Sequence, residues 1–274
     1  MKKICVALLA LVASAGAYAQ HAGDNVVSLG WFHIAPQYSS SNITVNVAPT
    51  PINTPLSLPN SFSSPGTGLA TSVSNTLGLT FSHFLTDHIA ITTVAGIPPI
   101  FQLYGHGTIR APGPAGALGS QNLSEPSNNP VVNKVREWSP AIMLQYYFDT
   151  ASPRFRPYVG IGVAYNFFTG IELNPQFQQS TSNDLGAVLA AGANKPGPTH
   201  VSASASRSLA PLFNIGASYA IDKHWAVTAA LSYIPFKSTS TLKINAADGT
   251  LLANSKTELK INPFITFVAL SYRF

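Results

Sequence analysis

Residues 264–274 read FITFVALSYRF. Phe264, Thr266, Val268, Leu270, Tyr272 and Phe274 share one face of an extended chain. Ile265, Phe267, Ala269, Ser271 and Arg273 share the other, because successive strand side chains point to opposite sides. One face is almost wholly apolar and finishes on an aromatic. The other mixes small and polar groups with two large apolar ones.

Seven further segments from Asn25 onward carry the same period-two pattern. The expected strands are 25–37, 73–84, 88–101, 133–148, 156–169, 203–220, 224–242 and 257–274, with no convincing helix between them. Three connections are short and hold an aspartate suited to a tight turn: FLTDHI, FDTASPRFRP and AIDKHW, with Asp87, Asp149 and Asp222. The stretches near 38–72, 102–132 and 170–202 are long and rich in Pro, Gly, Ser and Asn. The fourth long-side connection, NAADGTLLANS, is a shorter hairpin loop with an Asp-Gly turn. Short and long connections alternate strictly, which puts both termini and all short turns at one end.

That layout predicts an all-β fold: an eight-stranded antiparallel transmembrane β-barrel with short periplasmic turns and long extracellular loops. About 10 residues rising from each short turn would cross a bilayer when tilted. The expected lipid-facing sets include Leu77/Leu79/Phe81, Ile142/Leu144/Tyr146/Phe148, Val159/Ile161/Val163/Tyr165 and Val268/Leu270/Tyr272/Phe274. Tyr146, Phe148, Tyr219, Trp225, Tyr272 and Phe274 gather at the short-turn end as an aromatic girdle. A secreted β-sandwich is the alternative, but its outer strand faces should be polar.

MKKICVALLALVASAGAYA, residues 1–19, has the basic start, short apolar run and Ala17-Tyr18-Ala19 site of a secretory signal cut after Ala19. The run is too short for a helical membrane span. Residues 20–274 then form one barrel domain, exported to the bacterial outer membrane. The lone cysteine, Cys5, lies in the leader, which excludes disulfide and thiolate chemistry from the exported chain. Only 9% of the chain is charged, against about 25% in soluble proteins. The net charge of +5 includes Lys2 and Lys3 of the leader, too thin a balance for a nucleic-acid binder.

NTLGLTFSHFLTDHIAI (75–91), PAIMLQYYFD (140–149), RPYVGIGVAYNFF (156–168) and the terminal SYRF resemble the outer membrane protein W (OmpW) family. The similarity runs through all eight strands and the short turns, with the 140–168 block the most specific part. It implies an eight-stranded barrel with a hydrophobic channel, associated with small apolar molecules, including relatives that assist alkane uptake. Loop 38–72 is longer and richer in proline than the family leads one to expect.

Almost nothing on the expected lumen face is ionisable. Toward its outer side Phe32, Ile34, Val94, Met143, Leu212, Ile234, Ile265 and Phe267 form an apolar collar, which either binds passing cargo or plugs a barrel of this small strand number. Pro36, Pro98, Pro99, Pro140, Pro211, Pro235 and Pro263 lie at one height near the outer interface. Proline donates no ladder hydrogen bond, so the row either ends the spanning ladder or marks a lateral exit, with Pro98-Pro99 the widest break. Lys134, Arg136, Arg207, Lys237, Lys243, Lys256 and Lys260 sit at the outer ends, suited to the anionic headgroups of outer-membrane lipids, lipopolysaccharide included, or to an ordinary solvated rim.

No carboxylate pair faces the lumen for acid/base work. His33, His83, His88, His106, His200 and His224 are scattered, without metal-ligand spacing. His33 alone lies well inside a strand and has no nucleophile beside it. The expectation is no enzyme, no cofactor and no metal, with Phe274 as a recognition point for the barrel assembly machinery. The leading function is passive uptake of small hydrophobic molecules, with possible lateral exit into the outer leaflet. An adhesive or structural barrel acting through its loops, and a narrow ion pore, are the alternatives.

Overall fold

The structure, a computed structural model, describes residues 20–149 and 154–274. The expected leader, residues 1–19, lies outside them. Eight antiparallel strands form the barrel: β1 (Asn25–Ala35), β2 (Ser74–Phe84), β3 (Ile89–Gly96), β4 (Ala141–Tyr147), β5 (Phe155–Leu173), β6 (Ser208–Ala220), β7 (Trp225–Tyr233) and β8 (Phe264–Arg273). Each pairs with its neighbours in sequence. β1 pairs with β8 from Val26–Arg273 up to Ala35–Phe264, which closes the ring.

Closure leaves each strand with an inner and an outer face, and the sequence fills them differently. Leu29, Trp31, Leu79, Leu144, Ile161, Ile215, Leu231 and Leu270 stand exposed on the outside. Ser28, Thr80, Thr92, Gln145, Asn214, Thr228 and Ser271 are buried inside. This inverts the arrangement of a water-soluble barrel, and it is the arrangement a lipid surround rewards. At the short-turn end the Asp222 carboxylate accepts hydrogen bonds from the His224 and Trp225 amides at 2.7 and 2.8 Å.

The expected long strands are mostly interrupted where proline occurs. Segment 88–101 divides into β3 and Ile100–His106, 133–148 into Val132–Trp138 and β4, 224–242 into β7 and Phe236–Asn245, and 257–274 into Leu251–Ile261 and β8. Segment 203–220 breaks after Ala205, before the proline, and Pro211 lies within the continuous β6, opposite Val163 of β5. Its ring is tolerated there because the β6–β7 ladder has already ended at Phe213–Tyr233.

The long stretches hold more regular structure than their composition suggests. Tyr38–Ser40, Ile43–Val47, Ser61–Ser64 and His200–Ala205 join Phe236–Asn245 and Leu251–Ile261 in a six-position sheet with one branch. Gly68–Thr71, Ile100–His106 and Val132–Trp138 extend the β5 side. The expectation of no helix is corrected: residues 175–192 are helical, started by Asn174, whose Oδ1 accepts from the Gln176 and Phe177 amides. Phe177, Leu189 and Ala190 of this segment bury into a core with Val45, Val47, Leu123, Val201, Ile244 and Leu252. The long-loop end therefore carries a packed cap.

Candidate functional site

All eight expected collar residues, Phe32, Ile34, Val94, Met143, Leu212, Ile234, Ile265 and Phe267, line one cavity of about 280 Å³ inside the barrel. Phe32 and Phe267 stack across the β1–β8 seam at 4.3 Å between ring centroids. Met143, Ala164, Ala210, Leu212, Ile234 and Phe236 form the buried apolar cluster beside them.

Below the collar the lumen becomes polar but stays uncharged. Thr92 donates to Gln145 Oε1 (2.6 Å), Gln145 Nε2 to Asn214 Oδ1 (2.9 Å), and Asn214 Nδ2 to Ser232 Oγ (2.9 Å). Ser82 bonds Thr92, and Ser28 and Thr228 both bond Ser271. A belt whose groups bond one another resists an apolar molecule, which offers no replacement partners.

The floor is charged. Arg156, 4% exposed, donates from Nη1 to Gln20 O (3.1 Å) and Oε1 (3.3 Å), and from Nη2 to Asp87 O (2.7 Å). Its guanidinium lies over the Tyr147 ring, which packs on Tyr158 and Phe84. The lumen expectation omitted all of these. Continuing the inward parity of Gly160 and Gly162 down β5 reaches Tyr158 and Arg156 directly.

The wall is interrupted between β3 and β4. Their ladder ends at the Val94–Ala141 pair, and pairing resumes only at Ile100–Arg136. Across residues 95–99 and 137–140 one backbone bond spans the seam, Glu137 N–H to Pro99 O at 3.1 Å. Pro98, Pro99 and Pro140 have no N–H to offer. Gly96, at φ +147°, holds a conformation that L side chains rarely adopt. On its other flank each strand remains tied: Ile97 N–H donates to Leu77 O, Thr76 Oγ1 to Ile97 O, and Tyr165 N–H to Pro140 O. The 280 Å³ cavity reaches this seam, where Ile97, Pro98, Pro99, Trp138, Ser139 and Pro140 are part of its lining. Ile97 and Trp138 are also exposed on the outside of the barrel.

A second gap holds Pro211 and Pro235: between the Phe213–Tyr233 pair and the Ser206 N–H to Thr239 O bond, no backbone bond joins residues 207–212 to 234–238. The β7–β8 side is tighter. Ile234 N–H donates to Pro263 O, and the pairs Tyr233–Phe264 and Phe236–Ile261 bracket Pro235 and Pro263 closely. Pro36 follows the last β1–β8 pair and lines a second cavity of about 60 Å³, which shares Ile34, Glu137 and Pro263 with the first.

From the sequence, Glu137 falls at an upper strand end and is given no site. It faces the cavity instead, in the Val132–Trp138 strand above the barrel ladder, where burial pushes its carboxyl up to about 7 despite a hydrogen bond from Ser139 that pulls the other way. Ser139 Oγ also stands 2.7 Å from Asn166 Oδ1. The inward parity of Met143 and Gln145, carried up the strand, identifies Ser139 and Glu137.

Of the expected headgroup residues, Lys134 pairs with Glu172 and Lys237 with Glu258. Arg136, Arg207, Lys243, Lys256 and Lys260 are exposed. His33 bonds Asn75 Oδ1 and packs on Trp31. Phe274 is exposed, and its backbone pairs with Asn25 in both directions.

The OmpW family model matches residues 22–274. The chain belongs to the OmpW family. It is 27% identical to outer membrane protein W of Vibrio cholerae, over 99% of this chain and 98% of that protein. It is 25% identical to outer membrane protein W of Escherichia coli, over the full length of both. The crystal structure of the outer membrane protein OprG from Pseudomonas aeruginosa has the same fold, with a TM-score of 0.67 and 19% identity over 94% of this chain and 98% of that one. Membership makes this OmpW-family chain an outer-membrane barrel protein and not an enzyme. Its apolar outer face meets membrane lipid.

Proposed function

We propose that this protein is a passive channel for small hydrophobic molecules, which enter from the long-loop, extracellular end, rest in the collar and leave sideways between β3 and β4 into the outer leaflet. The observation that carries the reading is the shared cavity: the collar and the Pro98-Pro99-Pro140 seam line one space, and the residues at its edge face the lipid side. Below the collar, the hydrogen-bonded belt and the Arg156 floor oppose an axial route. A volume of about 280 Å³ is just under the roughly 300 Å³ where pockets for drug-sized ligands begin, so the cargo is small. The leader-like residues 1–19 and the exposed Phe274 fit export and barrel assembly. Arg136, Arg207, Lys243 and Lys260, with Lys134 and Lys237 in their acidic pairs, would meet lipopolysaccharide and other lipid headgroups at the outer rim.

The test is uptake of a panel of hydrophobic compounds by cells with and without the protein, repeated with a Pro98→Val/Pro99→Thr variant. The variant restores two N–H donors at the seam, and the expected result is a more heat-resistant barrel with slower uptake. A more stable variant that transports at the original rate would overturn the lateral route. Equal uptake with and without the protein would overturn the channel.

A further inference from the structure

At the height of the β3–β4 seam the cavity wall holds Thr76, whose hydroxyl is spent on Ile97 O, and the cluster of Glu137, Ser139 and Asn166, whose donors do not match their acceptors. Ser139 Oγ stands 3.1 Å from Glu137 Oε1 and 2.7 Å from Asn166 Oδ1. A hydroxyl has one hydrogen, so it satisfies one of the two. Turning the Asn166 amide would not help, because its Nδ2 donates to Ser208 O at 3.4 Å and fixes which end faces Ser139. Glu137 Oε2 has no hydrogen-bond partner among the described residues, and none of the ion pairs found among them includes Glu137.

We propose that Glu137, Ser139 and Asn166 form a head-group site, so that the preferred cargo of this channel is an amphiphile, an alkyl chain or ring bearing one amine or hydroxyl, and not a bare hydrocarbon. The proposal rests on the channel reading and refines its substrate class. An amine or hydroxyl supplies the hydrogen that the cluster lacks, while the apolar remainder lies against the collar residues Ile34, Met143 and Phe267 below. An ammonium head would also form a charge-assisted bond with the carboxylate, the stronger kind in a site shielded from water. Glu137 lies where the two cavities meet, so a head held there leaves its tail beside the open seam.

The test compares saturable binding of decane, 1-decanol and decylamine to the purified barrel in lipid vesicles at pH 7.5, with protein-free vesicles subtracted. The expected order is decylamine, then decanol, then decane, with decylamine at least ten-fold tighter than decane. Glu137→Leu should cut that ratio at least five-fold, and Glu137→Gln, which keeps the shape but removes the charge and brings N–H donors of its own, should lower both the amine and the alcohol preference. Retention of the heat-modifiable folded form on gels checks each variant, and the near-isosteric Gln change keeps the test open if Leu fails to fold. A wild-type ratio near one, or ratios unchanged in the variants, would overturn the head-group site. Saturable decane binding without amine preference would sink this site and leave the channel reading standing. Amine binding that depends on Glu137, with no decane binding, would support the site and count against the hydrocarbon channel.

Discussion

Phe32 on β1 and Phe267 on β8 are directly paired in the closing seam of the barrel, and their rings stack at 4.3 Å with 26° between planes. The pair narrows the lumen at the level of the collar, and it exists because β2 offers no side chain at Gly78. A Cβ built there would lie 1.9 Å from Phe32 Cε2. Gly78→Ala should therefore displace the Phe32 ring, breaking a contact of about 0.5–1.5 kcal/mol and pushing the ring into the cavity. Hydrophobic uptake should fall, and Gly78→Ala/Phe32→Leu should restore it. Uptake in the two variants, measured in parallel, checks this.

Glu137 gives the barrel a pH dependence of defined sign. Its carboxyl, raised from 4.5 to about 7 in the folded state, holds a proton that the unfolded chain has lost between those values. Stability should fall as pH rises from about 4.5 to 7 and level off above. The cavity residues around it, Ile34, Phe101, Phe168, Ser139, Asn166 and Pro263, carry no titratable group to mask the effect. Thermal unfolding followed across this range should lose much of its slope in Glu137→Gln.

The Asp222 turn should respond in the opposite direction. Hydrogen bonds from the His224 and Trp225 amides hold its carboxyl below the usual range. The stabilisation is present above the unfolded-state value of 3.8 and is lost as pH falls through the lower folded value. Hydrogen exchange at the His224 and Trp225 amides should accelerate in Asp222→Ala and change less in Asp222→Asn, which keeps an acceptor oxygen.

The eight barrel strands were legible because lipid imposes a rule that soluble proteins break: Leu144, Ile161 and Leu270 are apolar on the outside, and the alternation is visible without any fold in view. The collar followed from the same parity. Glu137, Ser139, Tyr158 and Arg156 obey that parity too, but they lie at strand ends, where turn and loop composition hid them. The cap was not legible for a different reason. Strands such as Tyr38–Ser40 and Gly68–Thr71 are too short to show a period. The 175–192 helix is interrupted by a π-helical turn, Ser182–Gly186, and mixes Ala, Gln and Leu with Ser, Thr and Gly, so Phe177 and Leu189 packing in the cap helps to hold it.

Arg156 sets the floor, and its removal should change conductance more than hydrophobic uptake. Its guanidinium joins the Gln20 segment to the Asp87 turn through bonds of 3.1 and 2.7 Å to backbone oxygens, and it covers the Tyr147 ring at 5.6 Å. A planar fork makes both contacts at once, which lysine cannot do. Arg156→Ala removes the donors and the covering group together, leaving carbonyl oxygens and a polar belt above them, a path that water can wet. Under the lateral reading apolar cargo never reaches this level. The expected outcome in planar bilayers is a several-fold rise in ion conductance for Arg156→Ala, a smaller rise for Arg156→Lys, and hydrophobic uptake within about two-fold of the original in both. If uptake instead rises in step with conductance, cargo crosses the floor, and the route through the β3–β4 seam must be abandoned.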